Sequence, residues 1–208
     1  MRTASAQRGY TAVEIMLSIA VLGIGAAGVM TMQAASVQGN ADAHMLDVGN
    51  SIARTWLERL RRDGMTWTMP DDQNPNPNWA ANTNLISQIG LAANAGLWIW
   101  PVPPVAGSNT VADPGYGRGF DILGRDLALT GSSQPGVVFC ANIRGDWLVP
   151  NQLIRAEVRV YWLRQLFAAP TATFCSTSEN LATLGTGGTT QVYHFIYAAT
   201  AIARNAPQ

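Results

Sequence analysis

No residue between Glu14 and Asp42 carries a charge, and this gap limits what the chain can fold into more than any other feature. The run from Ile15 to Val37 is apolar apart from small, hydroxyl and amide residues. Roughly 20 residues of this kind, wound into a helix, cross a bilayer core of about 30 Å. A cleaved secretory signal has a shorter apolar core, about 7–15 residues, ending at a small-x-small site. Here the run is longer and passes straight into a polar segment with helical spacing. Arg2 and Arg8 precede it, and an acidic-to-mixed region begins at Asp42. The positive-inside bias therefore predicts a cytoplasmic N-terminus and an external remainder.

Glu14 stands at the head of that run. An ionisable group inside a membrane span costs about 2.5–3.5 kcal/mol on insertion scales and is a functional candidate by default. A plain membrane anchor has no use for it, so something must compensate the carboxylate.

The stretch Arg8-Gly9-Tyr10-Thr11-Ala12-Val13-Glu14-Ile15-Met16-Leu17 resembles the processing site of type IV prepilins. In that family a short basic leader ends in Gly, an aromatic residue follows, and a Glu stands fifth in the mature chain. The resemblance implies cleavage between Gly9 and Tyr10, N-methylation of Tyr10, and an assembly role for Glu14, whose carboxylate would meet the N-terminal amine of an adjacent subunit. Tyr replaces the usual Phe and keeps the aromatic ring. A buried pair of this kind is costly to break from one side, which makes it a register device. Losing Arg2 and Arg8 from thirteen basic residues, and none from thirteen acidic ones, leaves the mature chain at a formal −2.

Helical spacing persists beyond the apolar run. Met45, Ile52, Trp56 and Leu60 form a stripe that Val48 completes, while Asp47, Arg54, Glu58, Arg61 and Arg62 lie mostly on other faces. Glu58 and Arg62 are spaced for an i, i+4 ion pair. Arg59, Arg61 and Arg62 suit a helix C-terminus, and Gly64 is the expected stop. A helix from about Ala12 to Asp63 would run roughly 75–80 Å. It resembles the pilin spine, embedded over its first half and packed on a globular head over its second. Gly23, Gly25 and Gly28 interrupt the first half, either for close helix packing or for local loosening on leaving the bilayer. The Val21–Gly28 segment and Leu57-Glu58-Arg59-Leu60-Arg61 look closest to minor pilins of the pilus-modification (PilV) type.

Residues 65–95 are rich in Asn, Pro and Asp, and read as an irregular loop with one short helix near Asn84–Ala92. Strands are expected at Leu97–Trp100, Val137–Ala141, Ile154–Trp162 and Gln191–Ala199. In the third, Ile154, Ala156, Val158, Val160 and Trp162 face a core, while Arg155, Glu157 and Arg159 face solvent as an ion cluster. The Val-x-Val-x-Trp pattern also resembles the same minor pilins. The fold class is thus α+β and pilin-like: a leader (1–9), a membrane or filament-core helix (10–40), and a head (41–208) in which an antiparallel sheet covers the polar half of the helix. Cys140 and Cys175 would be joined in an exported chain and free in a cytosolic one. The export reading favours the disulfide, worth on the order of 3–4 kcal/mol in the chain-entropy picture.

Little else suggests chemistry. His44 and His194 are isolated and fit structural roles, and no Cys-x-x-Cys, paired-His or Gly-x-Ser-x-Gly element occurs. Asp72, Asn74 and Asn76 begin like a calcium loop but lack its glycine and closing glutamate. Gly115, Gly117 and Gly119 do not match a dinucleotide fingerprint, and nothing fixes Asp113, Asp121 and Asp126 as a carboxylate site. The thirteen arginines, with no lysine, form no groove-sized basic patch, so nucleic acid is not an expected partner. The resemblance implies a non-enzymatic minor pilin of a type IV pilus, with no metal or cofactor. Its partners would be other major and minor pilins, a prepilin peptidase, the inner-membrane assembly platform and membrane lipid. The competing expectations are a minor pseudopilin of type II secretion and a pilin-anchored adhesin or binding module. In each case the chain would sit in the inner membrane with its head in the periplasm before joining a filament.

Overall fold

The computed structural model describes residues 10–68, 83–102, 117–127, 136–164, 174–176 and 179–204. The leader with Gly9, the Asp71–Asn78 stretch, and Asp113 and Gly115 lie outside them. The chain divides into two units, Met1–His44 and Met45–Gln208, and one helix, α1 (Ala12–Met65), has residues in both.

In the first unit every described residue from 10 to 44 is exposed. Large apolar side chains such as Met16, Leu22, Ile24 and Met32 are between 73 and 76% exposed. A soluble helix would turn such residues onto a core; here they have no protein cover. By length and composition α1 can cross a membrane. A Cβ added at Gly23, Gly25 or Gly28 would meet nothing within 4 Å, so neither reading of these glycines is decided within one chain.

In the second unit α1 buries Met45, Gly49, Ile52, Ala53, Trp56, Leu60 and Gly64. These recur three or four residues apart and so form one stripe. The stripe packs on a five-stranded antiparallel sheet of order β2-β1-β3-β4-β5: β1 (Gly119–Phe120), β2 (Asp126–Leu127), β3 (Phe139–Val149), β4 (Leu153–Leu163) and β5 (Tyr193–Ala203). β3 and β4 form a hairpin whose turn takes Asn151 to φ 56°. β4 then pairs with β5 in unbroken register, from Leu153 opposite Ala203 to Leu163 opposite Tyr193. Ile154, Ala156, Val158, Val160 and Trp162 all enter the core with Trp56 and Leu60. A short α2 (Leu85–Gly90) adds Leu85, Ile86 and Ile89 to it, and one further helical turn, α3 (Thr189–Val192), leads into β5.

Several expectations change in detail. Gly64 does not stop α1: it is buried in a helix that continues to Met65, and a Cβ there would lie 2.5 Å from Ile202 Cγ2. Its lack of a side chain lets the helix approach β5. Glu58 pairs with Arg61, one residue earlier than Arg62. Leu97–Trp100 contributes a single bridge, Ile99 to Ile143, in place of a strand. β3 runs eight residues past Ala141. The last strand begins at Tyr193, because Gln191 and Val192 belong to α3.

The largest correction concerns the second face of β4. Arg159 is 1% exposed and Glu157 7%, so they are not a solvated cluster. Glu157 takes Arg144, its cross-strand neighbour, and Arg155 as ion-pair partners. On the same face Tyr161 belongs to a second apolar cluster with Cys140, Phe174, Cys175, Leu184 and Tyr193. Alternation in a sequence shows which residues share a face; it does not show that a later segment returns to cover the other one.

Candidate assembly site

At the start of α1 the residues Thr11-Ala12-Val13-Glu14 form a reciprocal cap. Glu14 Oε2 accepts the Thr11 backbone N–H at 3.0 Å and the Thr11 hydroxyl at 3.1 Å. The Glu14 N–H points back at Thr11 Oγ1 at 3.4 Å, and the Glu14 and Ile15 N–H groups also reach Thr11 O. Thr at the cap and Glu three positions later is the capping-box pattern, which satisfies donors that a helix N-terminus otherwise leaves bare. The sequence carries this signal in its Thr-x-x-Glu spacing, although Glu14 stands out there mainly as a charge that needs an external partner. It has a local use as well.

That local use does not exhaust the carboxylate. Both Thr11 bonds fall on Oε2, and among the described residues none donates to Oε1, which has lone pairs for another donor. Glu14 shares a shallow concavity with Tyr10, Ile15, Leu17, Ser18, Ile19 and Leu22, and Tyr10 is 85% exposed. The site thus combines one acid, one aromatic residue and an uncovered apolar helix. It can accept a cation and bury hydrocarbon.

The remaining candidates resolve into structural roles. Cys140 and Cys175 are joined in a disulfide across 35 residues. Asp126 binds the Arg59 guanidinium through both carboxylate oxygens. Asp121 accepts the N–H groups of Leu123 and Arg125 in a turn that leads into β2. His44 is exposed, and His194 stacks on Trp162 at 5.3 Å. No group of three His, Cys, Asp or Glu among the described residues could hold a metal ion.

Three residues, Asp63, Arg159 and Glu179, hold the fold together in ways that their sequence patterns do not mark. Asp63 accepts the N–H groups of Asn84, Leu85 and Ile86, each at 2.8 Å, and so caps α2 from the end of α1. Arg159 donates to Asn142 Oδ1 and to the carbonyls of Leu181 and Leu184. Glu179 accepts the Tyr161 hydroxyl at 2.5 Å and the Cys175 N–H at 3.0 Å. Burial pushes the Glu179 carboxyl up from its ordinary value, outweighing those hydrogen bonds and the nearby Arg159 charge, which pull it down. Compared with family models, with characterised proteins and with solved structures, the chain matches none.

Proposed function

We propose that this chain is a minor pilin of a type IV pilus, a non-enzymatic subunit that primes or modifies filament assembly from the inner membrane. The observation that carries the reading is the apolar half of α1: a helix whose large aliphatic side chains are 52–76% exposed, with a single acid in its first turn. Such a surface needs lipid or other helices against it. In this proposal the bilayer covers it first and neighbouring pilins cover it afterwards. Cleavage between Gly9 and Tyr10 frees an amine on each subunit, and Glu14 of one subunit accepts the amine of the next through the oxygen that Thr11 leaves open. Having Glu14, the subunit can sit beneath another pilin. The head, α+β with its helix packed on an antiparallel sheet, supports the same reading.

Processing tests it. Gly9→Arg should leave an uncleaved precursor in the membrane, heavier by residues 1–9 in an intact-mass measurement, and absent from sheared filaments. A Gly9→Arg chain that is still shortened to Tyr10, or a wild-type chain that retains residues 1–9 in the filament, would overturn it. Deleting the gene should abolish surface pili; loss of exoprotein secretion with pili intact would point to the pseudopilin reading.

A further inference from the structure

The segment carrying Cys175 is fastened to the outer face of the sheet by more than its disulfide. Phe174 stacks on Tyr193 at 6.0 Å and meets Tyr161 edge-on at 5.8 Å. Cys175 itself has φ 61°, a left-handed conformation that a non-glycine residue keeps only where its surroundings hold it. What holds it is Glu179, whose Oε2 takes the Cys175 N–H and the hydroxyl of the buried Tyr161.

A few residues on, the Arg159 guanidinium fixes the same segment from beneath. Its Nη1 donates to the Leu184 carbonyl at 2.8 Å and its Nη2 to the Leu181 carbonyl at 3.1 Å, and Asn142 Oδ1 accepts from Nη2 and Nε at 3.1 and 3.3 Å. All these acceptors are neutral. This cation is 1% exposed, lies over the Trp98 ring at 4.5 Å and has the Glu179 carboxyl nearby; its hydrogen bonds to these oxygens are individually stronger than neutral ones. Removing it would leave two carbonyls and Asn142 without a donor.

We propose that these contacts dock the segment before the disulfide closes, with Arg159 as the positioning residue that brings the Cys175 thiol to Cys140. The bond then locks an arrangement the fold has already made. Closure uses a small disulfide oxidant such as oxidised glutathione. One cysteine thiolate attacks its S–S bond and releases one glutathione thiol; the second cysteine thiolate attacks the mixed disulfide and releases the other. The two protons lost by the cysteines end on the two glutathiones. Docking raises the effective concentration of one thiol at the other, and that quantity is measurable.

The full-length chain in detergent micelles, equilibrated in reduced and oxidised glutathione and trapped by alkylation, gives it. Arg159→Gln should lower the effective concentration about tenfold or more, the scale expected for losing hydrogen bonds to a charged donor, while hydrogen exchange in β3 and β4 stays slow. An unchanged effective concentration would show that the bond does the docking. A second variant decides the matter even if Arg159→Gln does not fold. In Cys140→Ala/Cys175→Ala, exchange across residues 179–186 should stay as slow as in the wild type; fast exchange there, with the sheet still protected, would overturn the proposal.

Discussion

Gly64→Ala sets two effects of opposite sign against each other. In an exposed helix interior, Ala is about 1 kcal/mol better than Gly. Gly64 lies one residue before the end of α1 at Met65, so the gain there is smaller. Against it, the new methyl would sit 2.5 Å from Ile202 Cγ2 and 3.3 Å from Ile86 Cδ1. Ile202 is 7% exposed and Ile86 is fully buried, so neither can swing into solvent. Overpacking of this kind costs about 1–3 kcal/mol, and the sum is a net loss of about 1–2 kcal/mol. The cause can be isolated. Ile202→Ala alone should cost about 2–4 kcal/mol through the cavity it leaves, but it removes the clashing carbon. In that background Gly64→Ala should be neutral or slightly stabilising, giving a coupling of about 1–3 kcal/mol between the two sites. Urea unfolding of the full-length chain in micelles, followed by the fluorescence of the buried Trp56 and Trp67, measures all four corners. If Gly64→Ala stabilises the wild type, or has the same effect in both backgrounds, the close-approach argument is wrong.

Two further predictions concern residues that no sequence pattern marked. Asp63→Ala should destabilise by about 2–3 kcal/mol in the same urea assay, because it strips the cap from α2 and leaves the Leu85 and Ile86 N–H groups without an acceptor. Asp63→Asn, which keeps one oxygen, should cost about half as much, and equal losses would contradict the capping role. Glu179 makes a pH-dependent contribution whose sign follows from its raised carboxyl. The folded state holds the proton more tightly than the unfolded chain, so this stabilisation is fully present below about pH 4.5 and fades as pH rises through the raised value. Glu179→Gln should remove that slope from the stability–pH profile, and an unaltered profile would refute the assignment.

The long helix and the β4 strand were legible because both repeat: an uncharged run of membrane length, and a strict two-residue alternation from Ile154 to Trp162. The inner core followed from them. What stayed hidden depends on contacts between residues distant in the chain. Arg159 keeps the alternation of a solvent-facing residue, and only the return of Phe174, Leu181 and Leu184 over it turns that position into an interior one. Asp63 looks misplaced at a helix C-terminus, where a negative charge opposes the dipole, until α2 arrives 21 residues later to use it. The short strands β1 and β2 have no pattern of their own and exist through pairing, β1 with β3 and β2 with β1. At the N-terminus the reverse holds: the Thr-x-x-Glu cap is local and readable, but a charge at the head of an apolar run is the stronger signal and masks it.

Glu14 therefore has one observed role, a cap within its own helix, and one proposed role, an acceptor for a neighbour's amine. Glu14→Gln separates them, because Gln at this position still serves the capping box while the charge is gone. The amount of Glu14→Gln protein in sheared filaments, normalised to the processed protein in the membrane, is the quantity to read. Our account expects Glu14→Gln chains to be cleaved and retained in the membrane but depleted from filaments by about tenfold or more, the scale of losing one partner of a buried ion pair. Incorporation at the wild-type level would contradict it and leave Glu14 as a helix cap alone.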